Sequence, residues 1–197
     1  MRTGFDTDFL KNAPPLSIKF YQQSASIVAP ALLGKIFVRK IGSIWCAAKI
    51  TETEAYLGVN DLASHSSRGM TVRNASMFLA GGHSYVYMIY GLHYCFNVVT
   101  GKVNQGEAVL VRSADVLAGR ETLMQNRAIY DEEKLLTGPG NFAKAFAITK
   151  EEDGVCLQKL IFKFIAVDSQ SAKFKLTKRI GITRDAQLKL RFVMAQN

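Results

Sequence analysis

The feature that most constrains the fold is a series of segments rich in isoleucine, valine and aromatic residues, a composition typical of β-strands. Fewer segments have the apolar spacing or the boundaries of helices, namely residues 18–35, 114–129 and 138–148. The chain contains no internal repeat, low-complexity tract or linker. These proportions predict one α+β domain. The strand segments are residues 35–41, 44–57, 83–100, 107–116, 159–168 and 188–196.

The first 16 residues are interrupted by Pro14 and Pro15 and are predicted to form a flexible arm. The single domain is then expected over residues 17–197. No apolar stretch approaches the roughly 20 residues that cross a bilayer, and the N-terminus lacks the apolar core of a signal peptide. We therefore expect a cytoplasmic protein that does not associate with membranes.

The chain is basic, with a formal net charge of +9 from 25 Lys and Arg against 16 Asp and Glu. A basic surface attracts phosphate-rich partners such as nucleic acids. The basic residues are spread along the sequence and form neither a charged tail nor a basic amphipathic helix, which disfavours an anionic membrane as the partner. Charge alone leaves nucleic-acid binding open.

The stretch TETEAY, residues 51–56, lies in a predicted strand. Because side chains alternate along a strand, Glu52, Glu54 and Tyr56 are predicted to share one face. An exposed edge strand often carries such charges, so a solvated face is one interpretation. The other is a partly desolvated carboxylate beside an aromatic ring, which suits a general base.

Residues 58–74 form a long polar segment, and loops of this length in compact domains are often functional. His65 in this segment could join Glu54 at a metal ion, but no third ligand is evident and the three cysteines are too widely spaced for a zinc site. We therefore expect no metal. Arg68 and Arg73 could contact phosphates or belong to an ordinary polar loop.

Four of the seven tyrosines lie between residues 84 and 94, at Tyr85, Tyr87, Tyr90 and Tyr94. Aromatic core packing is one interpretation of this cluster. The other is a set of rings on which nucleic-acid bases stack. Gly91 interrupts the strand pattern and favours a projecting turn near Tyr90.

Several motifs occur in an order and at a spacing that resemble the alkyladenine (3-methyladenine) DNA glycosylase family. The most specific block runs from ITETEAYLGVNDLASHSSRGMTVRNASMF through YVYMIYGLHYCFNV to AVLVRSAD. The resemblance extends to LLGKIFVR (residues 32–39), LTGPGNFAKAFAIT (residues 136–149) and RIGIT (residues 179–183).

The resemblance implies a compact domain with a curved antiparallel sheet surrounded by helices. It also implies a monofunctional enzyme, without a metal, cofactor or lyase step, that flips a damaged purine out of double-stranded DNA and hydrolyses its bond to deoxyribose. The expected bases are alkylated purines such as 3-methyladenine and 7-methylguanine, and deaminated purines such as hypoxanthine. A protein that scans DNA in this way is expected to be a monomer.

The resemblance also assigns roles to individual residues. Glu54 matches the general base that deprotonates the attacking water, and Arg112 matches the arginine that orients the water and the carboxylate. Asn97 matches the residue whose bulk obstructs the amino group of normal guanine. The matched walls of the base pocket are Tyr56, His65 and Tyr87. Tyr90 matches the wedge inserted into the duplex, and the further DNA contacts expected beside it are Leu92, Arg68 and Arg73.

Two positions depart from the family pattern. Asn141 stands where a lysine often follows the GPG motif, so one phosphate contact is expected to be missing. His93 replaces an aromatic residue found beside the wedge. Two alternatives to a glycosylase are a non-catalytic binder of distorted DNA, which would not need Glu54 and Arg112, and a metal-dependent hydrolase.

Overall fold

The computed structural model describes residues 6–158, 162–166 and 172–195. Within these residues an open, antiparallel sheet of eight strands is accompanied by six α-helices, so the predicted α+β class is confirmed. The strands are β1 Ile36–Ile41, β2 Ile44–Tyr56, β3 Ser84–Ile89, β4 His93–Thr100, β5 Glu107–Ala118, β6 Phe162–Ile165, β7 Phe174–Thr177 and β8 Arg191–Met194. The helices are α1 Thr7–Asn12, α2 Ile18–Tyr21, α3 Ala25–Leu32, α4 Arg120–Arg127, α5 Glu132–Leu135 and α6 Pro139–Ala145. None of the helices in the described ranges is long and apolar enough to cross a membrane.

Strand β2 occupies the centre of the sheet, whose strand order is β3-β4-β5-β2-β1-β6. Along one edge β2 pairs with β5, and along the other it pairs first with β1 and then, at Glu52–Glu54, with β8. Register shifts between Ile50 and Thr53 show that β2 is irregular where it changes partner. Such bulges bend a strand and redirect its side chains. The second half of β2 therefore lies between β5 and β8.

The core is built around the ring of Phe37 in β1, which is fully buried. Among the described residues, five other phenylalanines lie with their ring centroids 4.9 to 5.9 Å from it. Because aromatic side chains bury large apolar areas, this cluster fixes α6 against the face of the sheet to which β1, β4 and β6 contribute their phenylalanines. The five are Phe96, Phe142, Phe146, Phe162 and Phe164.

Two helix predictions differ from the structure. The helix predicted over residues 18–35 is divided into α2 and α3, and Gly34, at φ +78°, follows the second of them. The helix predicted from residue 114 begins at Arg120, because residues 114–118 continue β5 and pair with β2. The sequence pattern also missed β7 and α5.

The flexible arm predicted for residues 1–16 needs correction between residues 6 and 13. Asp6 accepts a hydrogen bond from the backbone N–H of Asp8 and caps α1. Leu10 is 1% exposed and belongs to a hydrophobic cluster with Ile36, Val38, Ala47 and Ile165. Burial of this leucine attaches α1 to the sheet.

Gly119, between β5 and α4, gives a prediction about stability. Its φ is +74°, and an added Cβ would lie 2.4 Å from Sγ and 2.8 Å from Cα of Cys46. We expect Gly119→Ala to lower the free energy of unfolding by about 2–4 kcal/mol, from backbone strain and overpacking together. Gly42 has φ +58° and no atom within 4 Å of an added Cβ, so Gly42→Ala should lose only about 1 kcal/mol. Urea unfolding measures both, and equal losses would contradict the steric account.

Candidate active site

A cavity of about 620 Å³ opens where β2, β3, β4 and β5 meet the loop of residues 58–74 and the segment of residues 180–184. Seven of the ten residues predicted for the site line it: Tyr56, His65, Arg73, Tyr87, Tyr90, Asn97 and Arg112. The other three are Glu54, which is fully buried, and Leu92 and Arg68, which are exposed and absent from the lining. Leu92 lines a separate hollow of about 260 Å³ on the other side of its turn.

Glu54 lies behind the cavity wall, with its carboxylate held by groups that themselves line the cavity. Oε2 accepts from the hydroxyl of Tyr56 at 3.0 Å, and Oε1 accepts from the backbone N–H of Ile180 at 2.9 Å. Nη1 of Arg112 lies 3.4 Å from Oε1. A carboxylate has about four lone-pair positions, so these two hydrogen bonds and the longer contact with Arg112 leave it able to accept a further hydrogen bond.

The two glutamates of β2 have opposite pKa shifts. Burial raises the pKa of Glu54, and the nearby Arg112 charge and the hydrogen bonds from Ile180 and Tyr56 offset only part of this effect. Burial also acts on Glu52, but the hydrogen bond from Arg191 and the charge of Arg112 outweigh it and hold the pKa of Glu52 below its usual value. Glu54 is therefore the more basic carboxylate, which suits proton abstraction.

Glu52 joins Glu54 to a network of charges across three strands. Its Oε1 accepts from Nε of Arg112 on β5 at 2.8 Å and from Nε of Arg191 on β8 at 2.5 Å. Its Oε2 accepts from the hydroxyl of Ser113 at 3.1 Å. Glu52, Glu54 and Tyr56 thus lie on one face of β2, as the period of a strand predicts.

Tyr56 is held by a buried ion pair that the sequence analysis missed. The guanidinium of Arg179 lies 4.7 Å from the centre of the Tyr56 ring, and its Nη2 donates to Oδ1 of Asp61 at 2.7 Å. Burial, followed by the charge of Glu54, raises the pKa of Tyr56, so the phenol stays protonated and donates to Glu54. Arg179 lies in the RIGIT motif, to which only the family resemblance drew attention, and Asp61 lies in the long polar loop, where no pattern distinguished it from its neighbours.

The aromatic wall is formed by His65 and two tyrosines of β3. Nδ1 of His65 hydrogen-bonds to the hydroxyl of Tyr85 at 2.8 Å, and its ring centre lies 4.5 Å from that of Tyr87. The two tyrosine rings are 5.4 Å apart. Desolvation by the surrounding protein, and then the charge of Arg73, lower the pKa of His65 and favour the neutral imidazole. Tyr85 is buried, and it also supports the wall.

Asn97 lies on β4 opposite Tyr85 and Leu110, at the inner part of the cavity. It is 3% exposed, and its Nδ2 donates to the backbone carbonyl of Tyr85 at 3.0 Å. Because that bond joins it to the neighbouring strand, the Asn97 side chain is a fixed part of the cavity shape.

The rim carries an exposed tyrosine on a tight turn. Ile89 pairs with His93, so residues 90–92 form the connection between β3 and β4, with φ +55° at Tyr90 and +68° at Gly91. The turn is consistent with the break predicted at Gly91. Tyr90 is 82% exposed and Leu92 78% exposed. Two large apolar side chains therefore project from a rigid hairpin beside the cavity.

The remaining residues considered for DNA contacts are on the surface or in the first turn of α6. Arg73 donates to the carbonyl of Met88 at 3.2 Å, and Arg68 is exposed. Asn141 donates to the carbonyl of Thr137 at 2.6 Å and accepts from Arg127, so it stabilises the first turn of α6. Among the described residues, no group of three or more His, Cys, Asp and Glu side chains is arranged to hold a metal ion.

The fold and the site define a class of protein. A cavity walled by aromatic rings, a buried carboxylate behind it and an exposed ring at its rim are the features of enzymes that act on a base taken out of the DNA stack. The basic charge of the chain suits the same substrate. The class that these features fit is that of the enzymes that act on a flipped base.

Comparisons with known proteins give the family. The model of the methylpurine-DNA glycosylase family matches residues 19–197. Three relatives are named as 3-methyladenine DNA glycosylases. The one of Koribacter versatilis is 37% identical, and the match covers 94% of this chain and 92% of the relative. For the relative of Methanoculleus marisnigri the identity is 40%, with 91% of this chain and 94% of the relative covered, and for that of Clostridium beijerinckii it is 41%, with 85% of this chain and 87% of the relative covered. The chain belongs to the methylpurine-DNA glycosylase family, as the sequence motifs predict.

The raised pKa of Glu54 gives a prediction about stability and pH. The unfolded side chain loses its proton near pH 4.3, before the folded one does. The stability contributed by the protonated group is therefore fully present below about pH 4.3 and is lost as the pH rises through the folded pKa. Glutamine carries no such proton. We expect the free energy of unfolding of Glu54→Gln, relative to the unchanged protein, to increase from pH 4 upward.

Urea unfolding between about pH 3 and 8 measures this difference and also covers the range in which the control changes. Glu52→Gln is the matched control, because the pKa of Glu52 is held below its usual value. The stability that its carboxylate contributes is lost as the pH falls through the folded pKa, so below about pH 4.3 the relative stability of Glu52→Gln should decrease with rising pH. Two variants with the same trend would contradict the assignment of opposite shifts.

Proposed function

We propose that this protein is a monofunctional DNA glycosylase that removes alkylated purines, such as 3-methyladenine and 7-methylguanine, and deaminated purines, such as hypoxanthine, from double-stranded DNA. The observation that carries the proposal is the buried Glu54–Arg112 pair directly behind an aromatic cavity. A non-catalytic binder of distorted DNA would need the cavity and the rim but not this pair.

The proposed reaction needs one carboxylate and one water molecule. The water oxygen forms a bond to C1′ of the deoxyribose, the bond between C1′ and the purine nitrogen breaks, and its electron pair leaves with the base. Glu54 accepts the proton from the water. Its negative charge also stabilises the positive charge that develops on the sugar. Arg112, beside Glu54 and on the cavity wall, orients the water.

The cavity walls supply the preference for alkylated bases. A methylated purine that carries a positive charge stacks on the electron-rich rings of Tyr56 and Tyr87, and such cation–π contacts contribute about 0.5–2 kcal/mol. His65 is held neutral, so it does not repel the charged base. Asn97, fixed by its bond to Tyr85, obstructs the exocyclic amino group of guanine. 7-Methylguanine carries the same group, but its positive charge makes it a better leaving group, so it is released where normal guanine is not.

The rim keeps the substrate nucleotide in the cavity. Tyr90 projects into the gap left in the duplex, and its contacts there offset part of the few kcal/mol that base flipping costs. Leu92 contacts the bases beside the gap. Arg68 and Arg73 bind phosphates, and the net charge of +9 attracts the DNA backbone as a whole. The protein acts as a monomer.

The first test is base release. We expect the purified protein to release free base from methylated DNA or from a duplex containing hypoxanthine, measured by chromatography of the released base. Glu54→Gln should lower the single-turnover rate by about 10²-fold or more, because the general base is lost. The variant should still bind lesion DNA. If folded protein releases no base from either substrate, the proposal is wrong, and tight lesion binding without release would favour the non-catalytic binder.

A second test concerns the wedge. We expect Tyr90→Ala to lower the rate on a lesion duplex about tenfold, since a stacked ring contributes roughly 1–3 kcal/mol. Tyr130→Ala is the matched control, because Tyr130 is 81% exposed and lies outside the cavity lining. On a single-stranded lesion, which has no gap to fill, Tyr90→Ala should lose little. Equal losses on both substrates would contradict a wedge function.

A further inference from the structure

The carboxylate of Glu52 accepts three hydrogen bonds from residues near the site, yet Glu52 does not line the cavity. Its side chain is 13% exposed and contacts Arg112, Arg191 and Ser113. The proposed reaction uses Glu54 and Arg112 but gives Glu52 no role. Burial of a carboxylate is costly unless its partners compensate, so a charge held in this way calls for an explanation.

The contacts of Arg112 explain why the charge of Glu52 is held in this position. Glu52 binds Nε of Arg112 at 2.8 Å, and this bond leaves Nη1 at 3.4 Å from Glu54. Arginine prefers to pair side-on with a carboxylate through two short, parallel bonds. Such a pair with Glu54 would occupy the acceptor position that the water needs and would neutralise the base. The bond to Glu52 holds the guanidinium away from that arrangement.

We propose that Glu52 is a positioning residue, which holds Arg112 so that the guanidinium orients the water without forming a full ion pair with Glu54. The inference rests on the proposed function. In addition, Arg191 binds the same oxygen of Glu52, so Glu52 shares its charge between two guanidiniums. The strand β8 thereby contributes to the site, although none of its residues lines the cavity.

The charges around Glu54 predict what the loss of Glu52 would do. The groups that face Glu54 are Glu52 and Tyr56 on β2, Cys95 on β4, Arg112 on β5, Arg179, Arg191 on β8 and the N–H of Ile180. Glu52 is the one negative charge that opposes ionisation of Glu54 in this set. Without it, Arg112 and Arg191 are left unbalanced, and the pKa of Glu54 falls.

The Glu52 network also reaches the turn before α6. The hydroxyl of Ser113 donates to Glu52 and accepts from the backbone N–H of Gly138 at 3.3 Å. The next residue, Pro139, lines the cavity. Glu52 therefore binds Arg112 directly and is also connected, through Ser113, to the backbone next to Pro139 in the cavity wall.

The test compares single-turnover base release as a function of pH in three variants. Glu52→Gln should lower the rate on the plateau about tenfold, since a weaker base removes the proton from a less well oriented water. It should also move the acidic limb of the profile to lower pH. Glu52→Asp keeps the charge, so its acidic limb should stay where that of the unchanged protein lies.

Glu152→Gln is the matched control. Glu152 pairs with Arg39 at 2.7 Å with side-chain exposures of 10% and 12%, close to the 12% and 13% of the Arg112–Glu52 pair. Loss of this pair should affect stability and leave the pH profile unchanged. The inference is overturned if folded Glu52→Gln has the same plateau rate and the same acidic limb as the unchanged protein. It is also overturned if Glu52→Asp moves the acidic limb as far as Glu52→Gln does, or if Glu152→Gln moves it in the same way.

A second measurement does not depend on catalysis. The free energy of unfolding of Glu54→Gln, relative to the protein that keeps Glu54, increases with pH, and the size of this increase reports the folded pKa of Glu54. In a Glu52→Gln background this increase should be smaller, because the pKa of Glu54 is lower. An equal increase in both backgrounds overturns the inference even if the protein releases no base, whereas a smaller increase without base release would refute the proposed function alone.

Discussion

The burial of a carboxylate next to an arginine is the interaction on which the site depends. Glu54 is fully buried, and burial raises its pKa, so the fold has to surround it with donors from separate parts of the chain. Tyr56 comes from the same strand, Arg112 from β5 and the N–H of Ile180 from the segment that follows Arg179. A buried charge that lost one of these partners would be strongly destabilising. The sheet order, with β2 between β5 and β8, makes the combination available.

Rigid and exposed parts of the site have different origins. The aromatic wall is rigid because His65, Tyr85 and Tyr87 contact one another, and the strand pairing of β3 with β4 fixes Asn97 beside them. Tyr90 is exposed because a short turn with positive φ at Tyr90 and Gly91 directs it away from the sheet. One hairpin thus carries both the cavity wall and the projecting ring. A displacement of that hairpin would therefore move the cavity wall and the projecting ring together.

Local patterns in the sequence predicted the parts of the site that local geometry determines. The alternation along β2 placed Glu52, Glu54 and Tyr56 on one face, and the glycine at position 91 indicated the turn. The contact between Arg179 and Asp61 joins residues 118 positions apart, and no local pattern encodes it. Helix α4 was predicted too early because its apolar spacing overlaps the end of β5, where pairing with β2 decides the structure. Roles such as that of Asn97 came only from the family resemblance.

The position of β8 and of residues 180–184 in the chain has a consequence for synthesis. These late segments supply the N–H that binds Glu54 and the second arginine that binds Glu52. A nascent polypeptide that has been synthesised as far as β6 contains every phenylalanine of the cluster around Phe37 but still lacks both groups. Most of the chain must therefore be synthesised before the buried carboxylate of Glu54 acquires its final surroundings. Incomplete translation products lack these surroundings, even when they already contain the hairpin that carries Tyr90.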